Sequence, residues 1–330
     1  MIRLEPNWSK WLSASSSRSF DQYQQRTDLE VCGSVIHFAG PSDDLLSNVL
    51  SALTPITPQK LAEPDVKVII APWHDLRNGP DALTWSGTQP RVKQEKFTAQ
   101  LELGGHAISF FNKQSKVWLW AVRDEKDPRW RLPEHIRPLI SGHIEDAGFL
   151  PAHGGTLGDH SKAILITNRG GAGKSTLVAA GVIRGMQTTG DDFLALKGTR
   201  EGLLSHNIFG SIKLAPSSPA WAEIPFAPSI TPGSDKALVP LSSLEPSAIA
   251  PTQLLTAIVV PVVGEITEIG EIEPGGVMAA LLPSSFGLAR RGSEVVRGLA
   301  TVTEGLPAYR LTVSTDLDGA INALENLLSR

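Results

Sequence analysis

Three observations predict an α/β protein with a β-rich N-terminal module. Beyond about residue 149, short apolar runs alternate with helical patterns, which is how an α/β domain reads. Ahead of it, strand-like runs follow one another across hairpin-sized gaps. Tryptophan divides the same way: Trp8, Trp11, Trp73, Trp85, Trp118, Trp120 and Trp130 precede residue 131, and Trp221 alone follows. The reading is a β-rich module over 1–148, expected to take part in substrate recognition, and an α/β domain over 149–330.

Within the module, Asn7 to Arg26 is polar and serine-rich and is expected to be irregular. From about Val31 the pattern turns strand-like. Val66-Lys67-Val68-Ile69-Ile70 is a β-branched run predicted to place Val66, Val68 and Ile70 on one face, closed by Ala71-Pro72. Phe97–Leu103, Ala107–Phe111 and Val117–Val122 are three further strands, the first two joined by Gly104-Gly105 as a hairpin. The period then changes. Ile136, Leu139, Ile140, His143 and Ile144 recur at helical spacing, with Pro138 marking a start or kink and Gly148 a stop.

In the second domain, Ala163–Thr167 is a short strand, preceded by a hairpin turn at Gly158-Asp159. Ser175–Gly185 is a helix, and Met186–Thr189 and Phe193–Leu196 are strands. Ala215 to Gly233 holds five prolines and no period, so a long functional loop is expected there. Leu254–Val263 and Ile269–Ile272 are strands, Gly276–Leu282 and Ser293–Val302 helices. Tyr309–Val313 is a last strand before a helix at Asp318–Leu328.

Composition narrows the function classes. Thirty Lys plus Arg against 34 Asp plus Glu leave a formal charge of −4, which removes the electrostatic case for a nucleic-acid binder. Cys32 is the one cysteine, so internal disulfides and cysteine-rich metal sites are excluded, and it is expected to be a buried thiol. His37, His74, His106, His135 and His143 have no metal-ligand spacing. The longest apolar run, Leu254 to Val263, is too short to span a membrane, and the first residues carry no signal-peptide pattern, so a cytoplasmic location is expected.

Asn168-Arg169-Gly170-Gly171-Ala172-Gly173-Lys174-Ser175-Thr176 lies between a strand and a helix. It matches the phosphate-loop pattern except at Asn168, where the first glycine is replaced by a residue that tolerates positive φ. Backbone N–H groups can converge on phosphate oxygens only where side chains stay out of the way, hence Gly170, Gly171 and Gly173. The helix adds its positive end, Lys174 reaches the outer phosphates, and Ser175 offers a hydroxyl to Mg²⁺. A glycine-rich turn before a helix is the plain alternative; the strand–loop–helix setting favours phosphate binding.

Asp191-Asp192 follows Gly190 at the carboxyl end of a predicted strand, where α/β sheets keep their ligands. Adjacent carboxylates point different ways, so one can hold metal while the other takes a proton. An acid pair capping a turn is the alternative. His153-Gly154 precedes the loop strand and, alone, reads as a turn.

As a set, His153-Gly154, Ile164–Thr167, Gly171–Ser175, Arg184-Gly185 and Asp191-Asp192 resemble the core of the HPr kinase/phosphorylase family. The order and spacing match over about His153 to Leu196. The resemblance implies a P-loop kinase core of the type shared with phosphoenolpyruvate carboxykinases. It also implies ATP and Mg²⁺ as cofactors and transfer of the γ-phosphoryl group to a hydroxyl. It assigns Gly171, Gly173, Lys174, Ser175 and Thr176 to the phosphates and Mg²⁺, Asp191 to the metal, Asp192 to the base, and His153 to tuning the acids. The family's Glu-Ile-Arg-Gly signature is absent; that region reads Ser205–Lys213. The module also does not resemble the N-terminal domain of the HPr-directed enzymes. The likeness is therefore to the wider HPr-kinase-like group, some of which phosphorylate peptides or small hydroxyl compounds.

The expected function is an ATP-dependent phosphotransferase acting on a serine hydroxyl or a small hydroxyl compound. Its expected partners are ATP and that acceptor, with no nucleic acid or membrane, and a homo-oligomer is among them. The alternative is a non-catalytic ATP-binding regulatory or scaffold protein; a carboxykinase-like lyase ranks last for want of a second metal-ligand set. Lys213, Lys236, Arg290, Arg291 and Arg297 are further cations for a phosphate or acceptor, each more simply read as surface charge.

Overall fold

The computed structural model describes residues 20–50, 53, 66–72, 91–93, 97–101, 107–112, 117–122, 136–228, 230, 235–286 and 292–330. Several expectations fall outside them: the turn at Gly104-Gly105, most of Asn7–Arg26, five of the tryptophans (8, 11, 73, 85, 130), three of the histidines (74, 106, 135) and Arg290-Arg291. The chain divides into two compact units, one ending at Ile136 and the other running from Arg137 to Arg330 with Ala52–Thr54 added.

The first unit is a sheet of β1 (Gln25–Val31), β2 (Ser34–Gly40), β3 (Val66–Pro72), β4 (Arg91–Lys93), β5 (Phe97–Leu101), β6 (Ala107–Asn112) and β7 (Val117–Val122), with helix α1 (Asp43–Leu50) after β2. Its strand order among the described residues is β1-β2-β3-β7-β6-β5-β4. β3 lies between two parallel neighbours. It is consequently covered on both faces: Val68, Ile69, Ile70 and Ala71 are all buried. Val68 and Ile70 share the expected face, and Ile69 and Ala71 on the other are buried as well, because a central parallel strand has no solvent side. Cys32 and Gly33 form the β1–β2 turn, both at positive φ. Cys32 is partly exposed there, not a buried thiol. The predicted β5–β6 hairpin is antiparallel, pairing Leu101 with Ile108. Trp120 packs in the core.

The second unit opens with α2 (Arg137–Asp146), whose second residue is Pro138. The predicted apolar face is buried throughout, and Gly148 stops the helix at φ 80°. There the Phe149 N–H donates back to the Ile144 carbonyl at 2.8 Å. The remaining elements are β8 (Leu150–Ala152), β9 (Gly155–Gly158), β10 (Lys162–Ile166), α3 (Lys174–Ile183), β11 (Leu194–Gly198), β12 (Leu203–His206), β13 (Ser211–Leu214), β14 (Ala237–Pro240), α4 (Leu241–Leu244), β15 (Thr252–Val263), β16 (Glu268–Glu271), α5 (Pro274–Phe286), α6 (Gly292–Gly305), β17 (Ala308–Val313) and α7 (Leu317–Leu328). The unit is α/β with a mixed sheet.

Strand β15 is the spine of that sheet. It runs parallel to β10 and β17 and antiparallel to β12. In β10 alternate residues enter two cores: Ile164 and Ile166 pack with α3 and α7, Ala163 and Leu165 with α5 and α6. Burying both faces is what turns the strand into an unbroken apolar run. The β10–β15 register slips between Ala163 and Ile164, so that Leu255 and Ala257 face successive partners and Thr256 is the extra residue. The bulge reverses parity, sending Leu255 to one core and Ala257 to the other.

β9 and β10 make the expected hairpin around Gly158-Asp159, and the Asp159 carboxylate accepts the N–H groups of Ser161 and Lys162 to hold the turn. The proline-rich stretch is not wholly irregular: Pro219–Glu223 is a 3₁₀ turn, tied to the C-terminus of α3 by the Arg184–Glu223 ion pair at 2.8 Å. No helix among the described residues is long and apolar enough to cross a membrane.

Candidate functional site

The predicted loop leaves the carboxyl end of β10 and enters α3. Its first anchor is Thr167, whose N–H donates to the Val259 carbonyl at 3.0 Å and whose hydroxyl donates to the His153 carbonyl at 2.9 Å. Asn168 follows. Its side-chain amide donates to the Pro261 carbonyl and its side-chain oxygen accepts the Arg169 N–H, both at 2.7 Å. The expectation that Asn168 stands in for glycine through positive φ is corrected, since its backbone is not in that region. The residue clamps the loop to the end of β15 instead. Positive φ falls on Gly171 and Gly173, at 83° and 85°. A Cβ at Gly170, Gly171 or Gly173 would meet no neighbour within 4 Å. Backbone conformation, not crowding, therefore requires glycine at 171 and 173, and the loop fronts open space.

Lys174 is the first residue of α3 and is only 7 % exposed. It folds back over the loop, donating to the Asn168 carbonyl at 2.8 Å and the Arg169 carbonyl at 3.1 Å. Burial lowers the ammonium's pKa, and Lys236 adds to that; Asp191 and Asp192 oppose it. The Ser175 hydroxyl donates to Asp191 Oδ2 at 2.7 Å. Thr176 faces elsewhere, its hydroxyl 2.8 Å from that of Ser218 just before the 3₁₀ turn.

Asp191 is 2 % exposed, and its Oδ1 has no hydrogen-bond partner. Strand β9 passes tightly alongside: a Cβ on Gly155 would come within 3.1 Å of that oxygen and 2.6 Å of Val178. Burial, reinforced by the charge of Asp192, pushes the Asp191 carboxyl up to about 6 against the pull of Ser175, Lys174 and His153.

Asp192 turns the other way because its backbone is left-handed, at φ 71°. One oxygen lies 2.9 Å from His153 Nε2 and the other accepts a hydrogen bond from Arg137. Burial acts to raise this carboxyl too. The Arg137 guanidinium and the His153 hydrogen bond outweigh burial and hold it well below the usual carboxylate range. His153 is placed by its N–H, which donates to the Ser285 hydroxyl at 2.9 Å, and its Nδ1 is buried without a partner.

The floor beneath the acids is a buried network of hydroxyls and amides. Thr156 Oγ1 accepts the Thr189 N–H at 2.7 Å, donates to Gln253 at 3.0 Å, and lies within 3.2 Å of the Thr188 and Thr189 hydroxyls. Asn207 donates to the Thr189 carbonyl at 2.8 Å. These contacts correct the expected strand at Met186–Thr189. That segment makes only isolated pairings, Gln187 with Gly158 and Thr188 with Ile249, and side chains supply what a ladder would otherwise give.

The structure thus gathers His153, Lys174, Ser175, Asp191 and Asp192 within hydrogen-bond distance of one another or of the loop Asn168–Gly173. Arg137 belongs with them and carries no motif. Its only signal in the sequence is a cation at the start of a helix, where the macrodipole disfavours it. Arg297 makes an ordinary contact within its own helix, to the Ser293 carbonyl.

Neither family models nor curated proteins match the chain. Among solved structures it is similar to the Hpr(Ser) kinase/phosphatase from Coxiella burnetii, with a TM-score of 0.30 and 14 % identity, over 54 % of this chain and 96 % of that one. At that level the likeness bears on neither residues nor chemistry.

Proposed function

We propose that residues 137–330 bind ATP with Mg²⁺ and transfer its γ-phosphoryl group to a hydroxyl, either a serine of a peptide or a small hydroxyl compound. The observation that carries the reading is the convergence of Lys174, Ser175–Asp191 and His153–Asp192 at one end of β10. The N–H groups of Gly170 to Ser175 cradle the phosphates at the positive end of α3. Lys174 exchanges the two loop carbonyls for outer phosphate oxygens.

The residues present fit Mg²⁺. Asp191 offers a buried oxygen without a partner beside a hydroxyl, and a cation there would offset the burial that raises its carboxyl. Among the described residues no cluster of three acidic, histidine or cysteine side chains exists, and none is needed, because Mg²⁺ in such sites keeps water and phosphate oxygens as ligands. Ser175 and Asp191 would hold it, and bound Mg²⁺ neutralises charge on the β- and γ-phosphates.

In the transfer step the acceptor oxygen forms a bond to the γ-phosphorus as the bond to the bridging β–γ oxygen breaks. ADP leaves with that electron pair, and the acceptor's proton passes to Asp192. Arg137 and His153 orient Asp192 and keep it ionised.

Lys174→Ala in the full chain should weaken Mg·ATP binding and lower transfer from γ-labelled ATP, across a panel of peptides and hydroxyl compounds, by about 10²–10³-fold. Parent-level transfer in the variant, or an unaltered chain that binds no Mg·ATP, overturns the reading.

One observation favours a second reading, an ATP-binding regulatory protein without transfer. The Arg137–Asp192 pair makes Asp192 a weak base. Mg·ATP binding with no labelled product from any acceptor would select it.

A further inference from the structure

The two flanks of the phosphate loop are unlike. Strand β10, which feeds the loop, has β9 on one side and β15 on the other. The β9 flank holds the acids: Gly155 lies against Asp191, whose Oδ1 is 3.1 Å from where a Cβ would sit. On the β15 flank the Asn168 side chain donates to the Pro261 carbonyl at 2.7 Å, and the strand runs two residues further, to Val263. Val263 is 76 % exposed and Ile266, in the turn that follows, 75 %, more than any other large apolar side chain among the described residues. Val259 packs into the core shared with α3, and alternation along β15 puts Pro261 and Val263 on that same face. Val263 therefore extends the α3 face of the sheet past its core, one strand spacing of about 4.8 Å from the strand that carries the loop.

The turn that carries Ile266 is held in place. The Gly264 N–H donates to the Val313 carbonyl at 3.0 Å, and the Thr267 and Ser314 hydroxyls lie 2.9 Å apart. A Cβ on Gly264 would strike Thr312 Cγ2 at 2.4 Å, so glycine is what lets the chain cross the end of β17. From Pro261 to Glu271 the chain carries Glu265, Glu268 and Glu271 and no cation. Phosphate oxygens are repelled from such a segment, whereas an uncharged group with an apolar face is not. The exposed side chains thus stand beside the loop on the flank away from the acids, in surroundings that suit the part of a ligand without charge.

We propose that Val263 and Ile266 form the subsite for the base of the bound nucleotide. The inference rests on the phosphate-loop reading and adds to it the direction in which the nucleotide lies. A terminal phosphate beside Asp191 and Asp192 and a chain of phosphates across the loop leave the nucleoside on the opposite flank, over the end of β15. There the two aliphatic side chains cover one face of the ring and remove apolar surface from water. Neither carries a donor or acceptor, so the contact is to the face of the base and not to its edge. A turn already fixed to β17 spends little conformational freedom in making it.

The test titrates the full chain in Mg²⁺ with a non-hydrolysable ATP analogue in one arm and inorganic tripolyphosphate in the other. Val263→Ser and Ile266→Ser should each lower analogue affinity about threefold or more, and together about tenfold or more, while tripolyphosphate affinity stays within about twofold. Ile266→Leu, which keeps the apolar area, should bind the analogue as the parent does. Both positions are exposed, so the variants should unfold at the parent's denaturant midpoint. Unchanged analogue affinity in the double variant overturns the proposal and leaves the exposed pair to a protein partner or a second copy of the chain. A parallel loss for both ligands also overturns it, because the substitutions would then act through the loop. If the unaltered chain binds neither ligand, the phosphate-loop reading fails and the subsite with it. Tripolyphosphate binding alongside an analogue affinity that ignores the substitutions sinks the base subsite alone.

Discussion

Asp191 and Asp192 are adjacent in the chain, yet their surroundings differ in charge. Asp191 sits on a floor of neutral hydroxyls, against the Cα of Gly155, with one oxygen unpartnered. Asp192 sits against a wall of cationic and ionisable groups, Arg137 and His153. Asp191 is buried and Asp192 half-buried, and burial alone would raise both. Only the second has enough compensating positive charge. The pair shows that the acid–base character of neighbouring carboxylates is set by which side of the backbone each faces, and that a division of labour follows from placement.

The largest test removes the charge on the cationic side. Asp192→Asn should cut phosphoryl transfer by about 10²–10⁴-fold while Mg·ATP binding persists. It should also destabilise the nucleotide-free protein by about 1–2 kcal/mol, because the half-buried Arg137 guanidinium loses its charged partner. Undiminished transfer would remove the base assignment.

Asp191→Asn should act in the opposite sense on stability. Its carboxyl rises from 3.8 to about 6 in the folded chain, so ionisation there opposes folding by at most about 3 kcal/mol. The folded state holds the extra proton between those values, so stability falls as pH rises from about 4 to about 6. The variant should therefore match the parent near pH 4, exceed it at pH 7 by denaturant midpoint, and lose Mg²⁺-dependent nucleotide binding. Asp192 has the reverse sign: its contribution is complete above about pH 4 and fades as pH falls further. A parent curve that rises from pH 4 to 6 would contradict the contrast.

A smaller effect is expected from the floor. Thr156→Val leaves the Thr189 N–H and Gln253 unsatisfied and should cost about 2 kcal/mol by chemical denaturation. It should lower transfer through displacement of Asp191 while the Arg137–Asp192 pair stays intact. Loss of that pair, seen as an altered pH dependence at acid pH, would mean the two surroundings are one unit.

Much of this was legible in the amino-acid order. The β9–β10 hairpin, the glycine loop and α3 are local, and each is written in a short run of residues whose backbone needs are plain. Asp191 and Asp192 could be placed near the loop from chain order, but their opposite characters could not. That contrast depends on φ at 192 and on Arg137, which is 55 positions upstream. The segment Met186–Thr189 has strand composition and no strand, because hydroxyls from Thr156, Thr188 and Thr189 outcompete a ladder. β13 and β14 escaped notice since the chain between them, Ala215 to Lys236, is dominated by prolines. Their pairing is a tertiary fact.

The left-handed backbone at Asp192 restricts what sequence change can do at that position. Asparagine and glycine enter the same conformation with little penalty, whereas a longer or branched side chain does not. The charge can accordingly be erased while the chain trace is preserved, but it cannot be moved outward on a glutamate arm at comparable ease. Under the proposed transfer reaction, a descendant would have a short route to merely sensing nucleotide, one carboxylate oxygen exchanged for nitrogen, and no equally short route to a base with a longer reach.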